Sequence, residues 1–155
     1  MILSGGGVYN PELVIGDGVI IQYFFTCLIA DRCEIGANTI IAHNVSIITE
    51  NHGNNIESKA PLHAQMLKTD TCKIGKNCWI GCNTVLLPGA AIGDNCIVAA
   101  NSVVNKKFHD NCLIGGTPAR ILKTYDFNSH KWVKYYENSD DIQEDKRYLL
   151  HEEKI

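Results

Sequence analysis

Aliphatic side chains recur at every sixth position over most of this chain. Ile29, Ile35, Ile41 and Ile47 form one series, and Ile74, Ile80, Leu86, Ile92, Val98 and Val104 form a second. Ile15 and Ile21 precede both, and they join the first series only if two extra residues are allowed between positions 23 and 27. A step of six matches neither the 3.6-residue turn of an amphipathic helix nor the simple alternation of a strand. It matches a parallel β-helix in which six residues make one flat side and one corner, and about 18 make a coil. Each aliphatic residue then points into a narrow bore and stacks on its equivalent one coil away, at about 4.8 Å.

The neighbouring positions agree. The residue after the aliphatic is usually small, as in Gly16, Gly36, Gly75, Gly81 and Gly93. Four places after it comes another slim residue, among them Val19, Thr39, Val45, Thr84, Ala90 and Ser102. Cys33, Cys78 and Cys96 fall in this slot, which explains their spacing. The seven cysteines are odd in number and lack the paired spacing of a zinc ribbon. They read as reduced, small apolar core residues. Asp and Asn in G-D-G, G-A-N, G-K-N and G-D-N suit corner positions with left-handed backbone.

Length and charge narrow the function classes. One domain with a real core fits 155 residues. The formal net charge is −3 and no basic stripe alternates with aromatics, which argues against a nucleic-acid partner. No run approaches the roughly 18 apolar residues that span a bilayer, so no membrane insertion is expected. The first residues carry neither a basic n-region nor an apolar core, so the expected location is cytoplasmic.

The rhythm stops between about residues 50 and 72, and His52 stands where it stops. Long insertions inside compact domains are uncommon and often functional. A second change comes after Arg120, where the composition becomes aromatic and charged. The expected organisation is a β-helix domain over 1–123 and an extension over 124–155 that caps the last coil or contacts another subunit. Trp132, Val133, Tyr135 and Tyr136 would pack on the coil, and Ser139 would N-cap a short helix.

The stretch I74-G-K-N-C-W-I-G-C-N-T-V-L-L-P-G-A-A-I-G-D-N95, followed by G115-G-T-P-A-R-I121, resembles the hexapeptide-repeat acyltransferases. Within them the chain is similar to the galactoside and maltose O-acetyltransferases and to the O-acetyltransferases of surface-polysaccharide clusters. The resemblance covers roughly residues 14–123. It implies a left-handed β-helix, a homotrimer with sites between subunits, acetyl-CoA as donor and a small-molecule or glycan acceptor. It places the catalytic histidine at His52 and the oxyanion donor at the backbone amide of Cys82. The donor positions carried over are Trp79, Gly81, Cys82, Ala100, Asn105, Lys106, Arg120 and Lys123. The acceptor-binding asparagine and aspartate of the galactoside group map to Gln22 and Ala30, with Asp31 adjacent. Neither matches, so a different acceptor is expected, contacted by Gln22, Asp31 and His63.

The chemistry is consistent with that reading. A sugar hydroxyl attacking a thioester must lose its proton, and a neutral imidazole suits this near neutral pH. Glu50, Glu57 or a backbone carbonyl would hold the ring, and a fixed N–H would meet the developing oxyanion. Lys106, Arg120 and Lys123 suit the phosphates of CoA. His43 lies inside a repeat and reads as an outward-facing residue. No metal is expected: a γ-type carbonic anhydrase would need three convergent histidines, and 43, 52 and 63 lack the spacing. N-acetylation of an amino-sugar nucleotide and an inactive scaffold remain open as alternatives.

Overall fold

The computed structural model describes residues 2–3, 9 and 11–136. Its strands form three parallel sheets that are the sides of a solenoid. Side one holds Glu12–Ile15, Arg32–Ile35, Cys72–Ile74, Ala91–Ile92 and Lys107–Phe108. Side two holds Ile20–Ile21, Ile40–Ile41, Trp79–Ile80, Ile97–Val98 and Cys112–Gly115. Side three holds Ile2–Leu3, Thr26–Ile29, Ser46–Ile48, Val85–Leu86 and Val103–Val104. Every pairing among these is parallel and one coil apart.

The six-residue rhythm is the bore. On side one Ile35, Ile74, Ile92 and Phe108 stack, and on side two Ile41, Ile80, Val98 and Ile114. All eight are buried. Each fully enclosed Ile contributes about 1.5–3 kcal/mol by leaving water. Ile15 and Ile21 continue these columns into the first coil and stay 47% and 37% exposed. The slim slot is buried too: Cys33, Thr39, Val45, Cys78, Thr84, Ala90, Cys96 and Ser102 line the inner corners. The hydroxyls there are bonded, as when Thr39 Oγ1 donates to Gly75 O at 2.9 Å and accepts from Cys78 N at 3.1 Å.

One detail of the register differs from the sequence expectation. On side three the bore residue is Cys27, which pairs with Ile47. The two extra residues therefore fall after Cys27, and not between 23 and 27. The cause is strand alternation: Thr26–Ile29 turns both Cys27 and Ile29 inward. The widened corner that follows is tied back by Thr49, whose Oγ1 accepts from Ala30 N at 2.9 Å and Asp31 N at 3.2 Å.

Corners are set by asparagine and glycine, for different reasons. Asn38, Asn44, Asn77, Asn83, Asn95, Asn101 and Asn111 all have φ between 52° and 60°. Asparagine tolerates this left-handed conformation better than other side-chain-bearing residues. Their amides also form two ladders. Asn44 donates to Asn83 (2.9 Å) and Asn83 to Asn101 (3.0 Å). Asn77 donates to Asn95 (2.9 Å) and Asn95 to Asn111 (3.2 Å). Gly75 has no unusual φ; it is there for space, since a Cβ would lie 2.5 Å from the carbonyl carbon of Gly93 in the next coil.

Beyond the last coil the chain reverses. Arg120–Asp126 pairs antiparallel with Cys112–Gly115, and Lys131–Lys134 pairs antiparallel with it in turn, so side two gains two strands. Arg120–Asp126 runs straight through the 123/124 boundary expected from sequence. The extension is β-structure as far as it is described. The helix expected from Ser139 lies outside the described residues.

Candidate active site

The loop that interrupts the repeat leaves side three after Ile48 and returns to side one at Cys72. Its two stems pair antiparallel, Glu50 with Thr69 and Asn51 with Lys68. Beyond them Gln65 clips the loop together. Its Oε1 accepts from Asn55 N (3.0 Å), and its Nε2 donates to Asn55 O (3.0 Å) and Ala60 O (3.1 Å). Gly53 permits this closeness, because a Cβ there would sit 2.7 Å from Gln65 Cβ. Lys68 Nζ adds a bond to Asn54 Oδ1 at 2.5 Å, and Leu67 N one to the Tyr9 hydroxyl at 3.0 Å.

His52 is the first residue after the stem and is exposed. Among the described residues no hydrogen bond holds its ring. His63 is exposed at the loop's far end, in the short 3₁₀ turn Leu62–Ala64. Ile56, Leu62 and Met66 are also strongly exposed on this loop, at 92%, 56% and 75%.

Cys82 lies elsewhere. It is at the corner between sides two and three, exposed, and the only one of the seven cysteines that is not buried. Its amide donates to no described acceptor, while its carbonyl accepts from Asn101 N at 2.9 Å. The same holds for the amides of its corner-mates Tyr23, His43 and Ala100, so the free N–H belongs to the corner as a whole. Strands Ser46–Ile48 and Val85–Leu86 are parallel and in register. Cys82 precedes one and His52 follows the other, so they stand at opposite edges of side three, on the order of 15–20 Å apart. A single chain does not bring them together.

The expected donor residues divide between the same two edges. Cys82 and Ala100 occupy the corner between sides two and three, with Arg120 beside it through its pairing with Gly115. Trp79 is 54% exposed on the outer face of side two, just before that corner. Asn105 and Lys106 are exposed at the corner between sides three and one, where the His52 loop also has its root. Lys106 Nζ sits over the Phe108 ring at 5.6 Å. Gly81 is buried, and a Cβ on it would meet Ala100 N at 2.6 Å, so coil packing alone accounts for it. Lys123 is only 6% exposed, so it offers little open surface to a phosphate.

For the acceptor, Gln22 is exposed in the first coil at the Cys82 corner. Asp31 is half-buried and already committed to structure: its carboxylate accepts from Thr69 Oγ1 (3.2 Å) and Arg32 N (2.6 Å), fastening the loop stem to the solenoid. Two neighbours of Gln22 stand in the irregular segment 21–29, where the sequence points for the acceptor without naming them. Tyr23 and Phe24 are 76% and 80% exposed, and Tyr23 meets the His43 ring edge-on at 5.8 Å. Phe24 has φ 63°, in the slot that Asn44 and Asn83 fill in the following coils. A bulky residue there is an outlier of the kind that gathers at functional sites. The signal in the sequence was an aromatic standing in an asparagine column.

Residues 71–106 match the family described as bacterial transferase hexapeptide, six repeats. The chain is a member of the hexapeptide-repeat family. WbbJ of Escherichia coli K12, named for lipopolysaccharide biosynthesis O-acetyl transfer, is 33% identical over 76% of this chain and 63% of its own length. The galactoside O-acetyltransferase of the same organism is 30% identical over 83% of this chain and 62% of its own. The chain thus spans a little under two thirds of these relatives. Among solved structures, the hexapeptide-repeat-containing acetyltransferase of Vibrio cholerae, complexed with acetyl coenzyme A, is 29% identical. It superposes with a TM-score of 0.67 over 79% of this chain and 70% of its own. The maltose O-acetyltransferase of Clostridium difficile is 28% identical, with a TM-score of 0.58 over 75% and 68%. The hexapeptide β-helix expected from the repeats is the fold these relatives share.

Proposed function

We propose that this hexapeptide-repeat protein is an acetyl-CoA-dependent O-acetyltransferase that acts on a sugar hydroxyl in the making of a surface polysaccharide. The observation that carries this is the division of the site: an unengaged His52 at one edge of side three, and the Cys82 corner with its free amide at the other. Two copies set side by side would bring one edge against the other, as the expected homotrimer does. The activities in the names of its relatives, and the acetyl-CoA in the Vibrio cholerae structure, support the same donor and transfer.

In this reading His52 takes the proton of the acceptor hydroxyl as the oxygen attacks the thioester carbonyl. The negative charge that develops on the carbonyl oxygen is met by the Cys82 amide of the neighbouring copy. As the C–S bond breaks, the sulfur leaves as thiolate and takes the proton from the imidazolium, so no group stays on the enzyme. Arg120 and Lys106 would meet the CoA phosphates, while Tyr23, Phe24 and Gln22 would line the acceptor's approach. The protein would work in the cytoplasm.

Calorimetric titration with acetyl-CoA, followed by turnover assays on sugar and amino-sugar acceptors, tests this. The His52→Ala variant should keep donor binding and lose roughly 10²–10⁴-fold in kcat, the usual worth of a positioned general base. Absence of donor binding by folded protein would overturn the reading, and turnover confined to amine acceptors would replace O- with N-transfer.

A further inference from the structure

The extension runs beside the corner between sides one and two, far from the His52 and Cys82 edges, and borders an open groove there. Asn77, Asn95 and Asn111 line it from the solenoid corner, Tyr125, Phe127 and Trp132 from the extension, together with Ile97, and its volume is about 410 Å³. The aromatic wall is fixed. Tyr125 meets Phe127 at 5.2 Å and Trp132 at 5.5 Å, both edge-on. Tyr125 N donates to Asn111 O at 3.0 Å, which ties this wall to the top of the asparagine ladder. The turn that carries Phe127 is pinned by Asp126, whose carboxylate accepts from Asn128 N (3.0 Å) and from Ser129 Oγ (2.6 Å).

The ladder uses only part of each amide. A carboxamide has two N–H donors and two acceptor lone pairs. Asn77 and Asn95 each spend one donor on the rung above, so a second N–H remains on each, about one coil spacing of 4.8 Å apart. Among the described residues, Asn77 Oδ1 receives no donor and Asn111 Nδ2 finds no acceptor. The lining carries no formal charge, which disfavours phosphate, CoA or any other anion. What remains is a ligand with an apolar face and several neutral hydroxyls at regular intervals. A pyranose has this chemistry: its C–H face lies on aromatic rings and its hydroxyls bond to amides.

We infer that this groove is a second carbohydrate subsite, one that holds a neutral segment of a glycan chain away from the place of transfer. It rests on the proposed function in so far as the glycan is the acceptor, but binding itself needs no turnover. A site of this kind would favour polymeric over monomeric acceptors, since two weak contacts on one chain reinforce each other.

The test is titration of the full ¹⁵N-labelled chain with maltoheptaose, galacto-oligosaccharide and chitohexaose. The Trp132 indole N–H and the Asn77, Asn95 and Asn111 side-chain amides are the reporters, assigned with Trp132→Phe. Saturable shifts at these groups with any one oligosaccharide are expected. Phe127→Ala, at an exposed turn position, should weaken that binding by roughly three- to tenfold, the worth of one aromatic contact. Its acetyl-CoA binding should be unchanged. No shift at these reporters with any of the three, or shifts indifferent to Phe127→Ala in a folded variant, would overturn the subsite. Glycan shifts without acetyl-CoA binding would leave the subsite standing and sink the acetyltransferase reading; the reverse result would do the opposite.

Discussion

Gly75→Ala should be among the most damaging single-methyl additions to this chain, and the structure says by how much. The new Cβ would lie 2.5 Å from the carbonyl carbon and 2.6 Å from the carbonyl oxygen of Gly93. Ordinary carbon contacts begin near 3.5 Å, so the coils must part locally by about 1 Å. Two bonds hold them together at this point, Gly75 N to Ile92 O at 2.8 Å and Lys76 N to Asp94 Oδ1 at 2.7 Å. Losing both costs about 2 kcal/mol, and the overpacking itself about 1–3. Alanine's smaller unfolded-state entropy returns about 0.4–1 kcal/mol. The net expectation is roughly 2–4 kcal/mol, read as a lower urea midpoint at unchanged slope and fixed protein concentration. The molecule contains its own control. His109 fills the same slot in the last coil of side one, where among the described residues no further strand of that side stacks above Lys107–Phe108. His109→Ala should cost no more than about 1 kcal/mol. A Gly75→Ala chain within about 0.5 kcal/mol of the parent, or a His109→Ala change equally harmful, would refute the account of the glycine column.

Three further outcomes follow from the same geometry. Under native conditions one thiol per chain, Cys82, should react quickly with a disulfide reagent near neutral pH, against seven in denaturant. Burial keeps the others slow; it pushes the Cys72 thiol up to about 11, so it stays protonated well above neutrality. Acetyl-CoA should slow the reaction of Cys82, and mass spectrometry of alkylated peptides reads both effects. Gln65→Ala removes three bonds that close the loop. It should raise hydrogen exchange and proteolytic cutting between residues 54 and 66 at least tenfold, about 1.4 kcal/mol of local opening, while the global melting temperature moves little. Finally, His52→Ala and Cys82→Pro chains, each inactive alone, should recover activity when unfolded and refolded together. Recovery absent from verified mixed assemblies would mean that one chain supplies the whole site.

The bore was legible because it is periodic. Each inward position of the solenoid has the same neighbours above and below, so it selects the same kind of residue every sixth place. The asparagine corners were legible for the same reason, each φ demanding the same chemistry. The register near Cys27 was not, because Cys27 and Ile29 both face inward and either one continues a six-residue series. The positions of His52 and Cys82 along the chain were readable from the motif. Their standing at opposite edges of one side was not, since that depends on strand direction and on which sheet each corner joins. Asp31 shows the limit for single polar residues: nothing in A-D-R tells that its carboxylate fastens Thr69 of a distant loop stem. The groove beside the extension was equally hidden, because Tyr125 and Trp132 face each other only through an antiparallel pairing that has no repeat to announce it.

The loop that carries His52 leaves and re-enters the solenoid at one spot. Asp70 N bonds Thr49 O at 3.0 Å, and the stems close on each other immediately beyond. The strands on either side meet as though nothing intervened, Ile47 against Leu86 and Ile35 against Ile74. What lies between is therefore an interchangeable cartridge. Its length and lining can be rewritten without moving a single rung of the frame, so the surface it presents can drift while the architecture stands still.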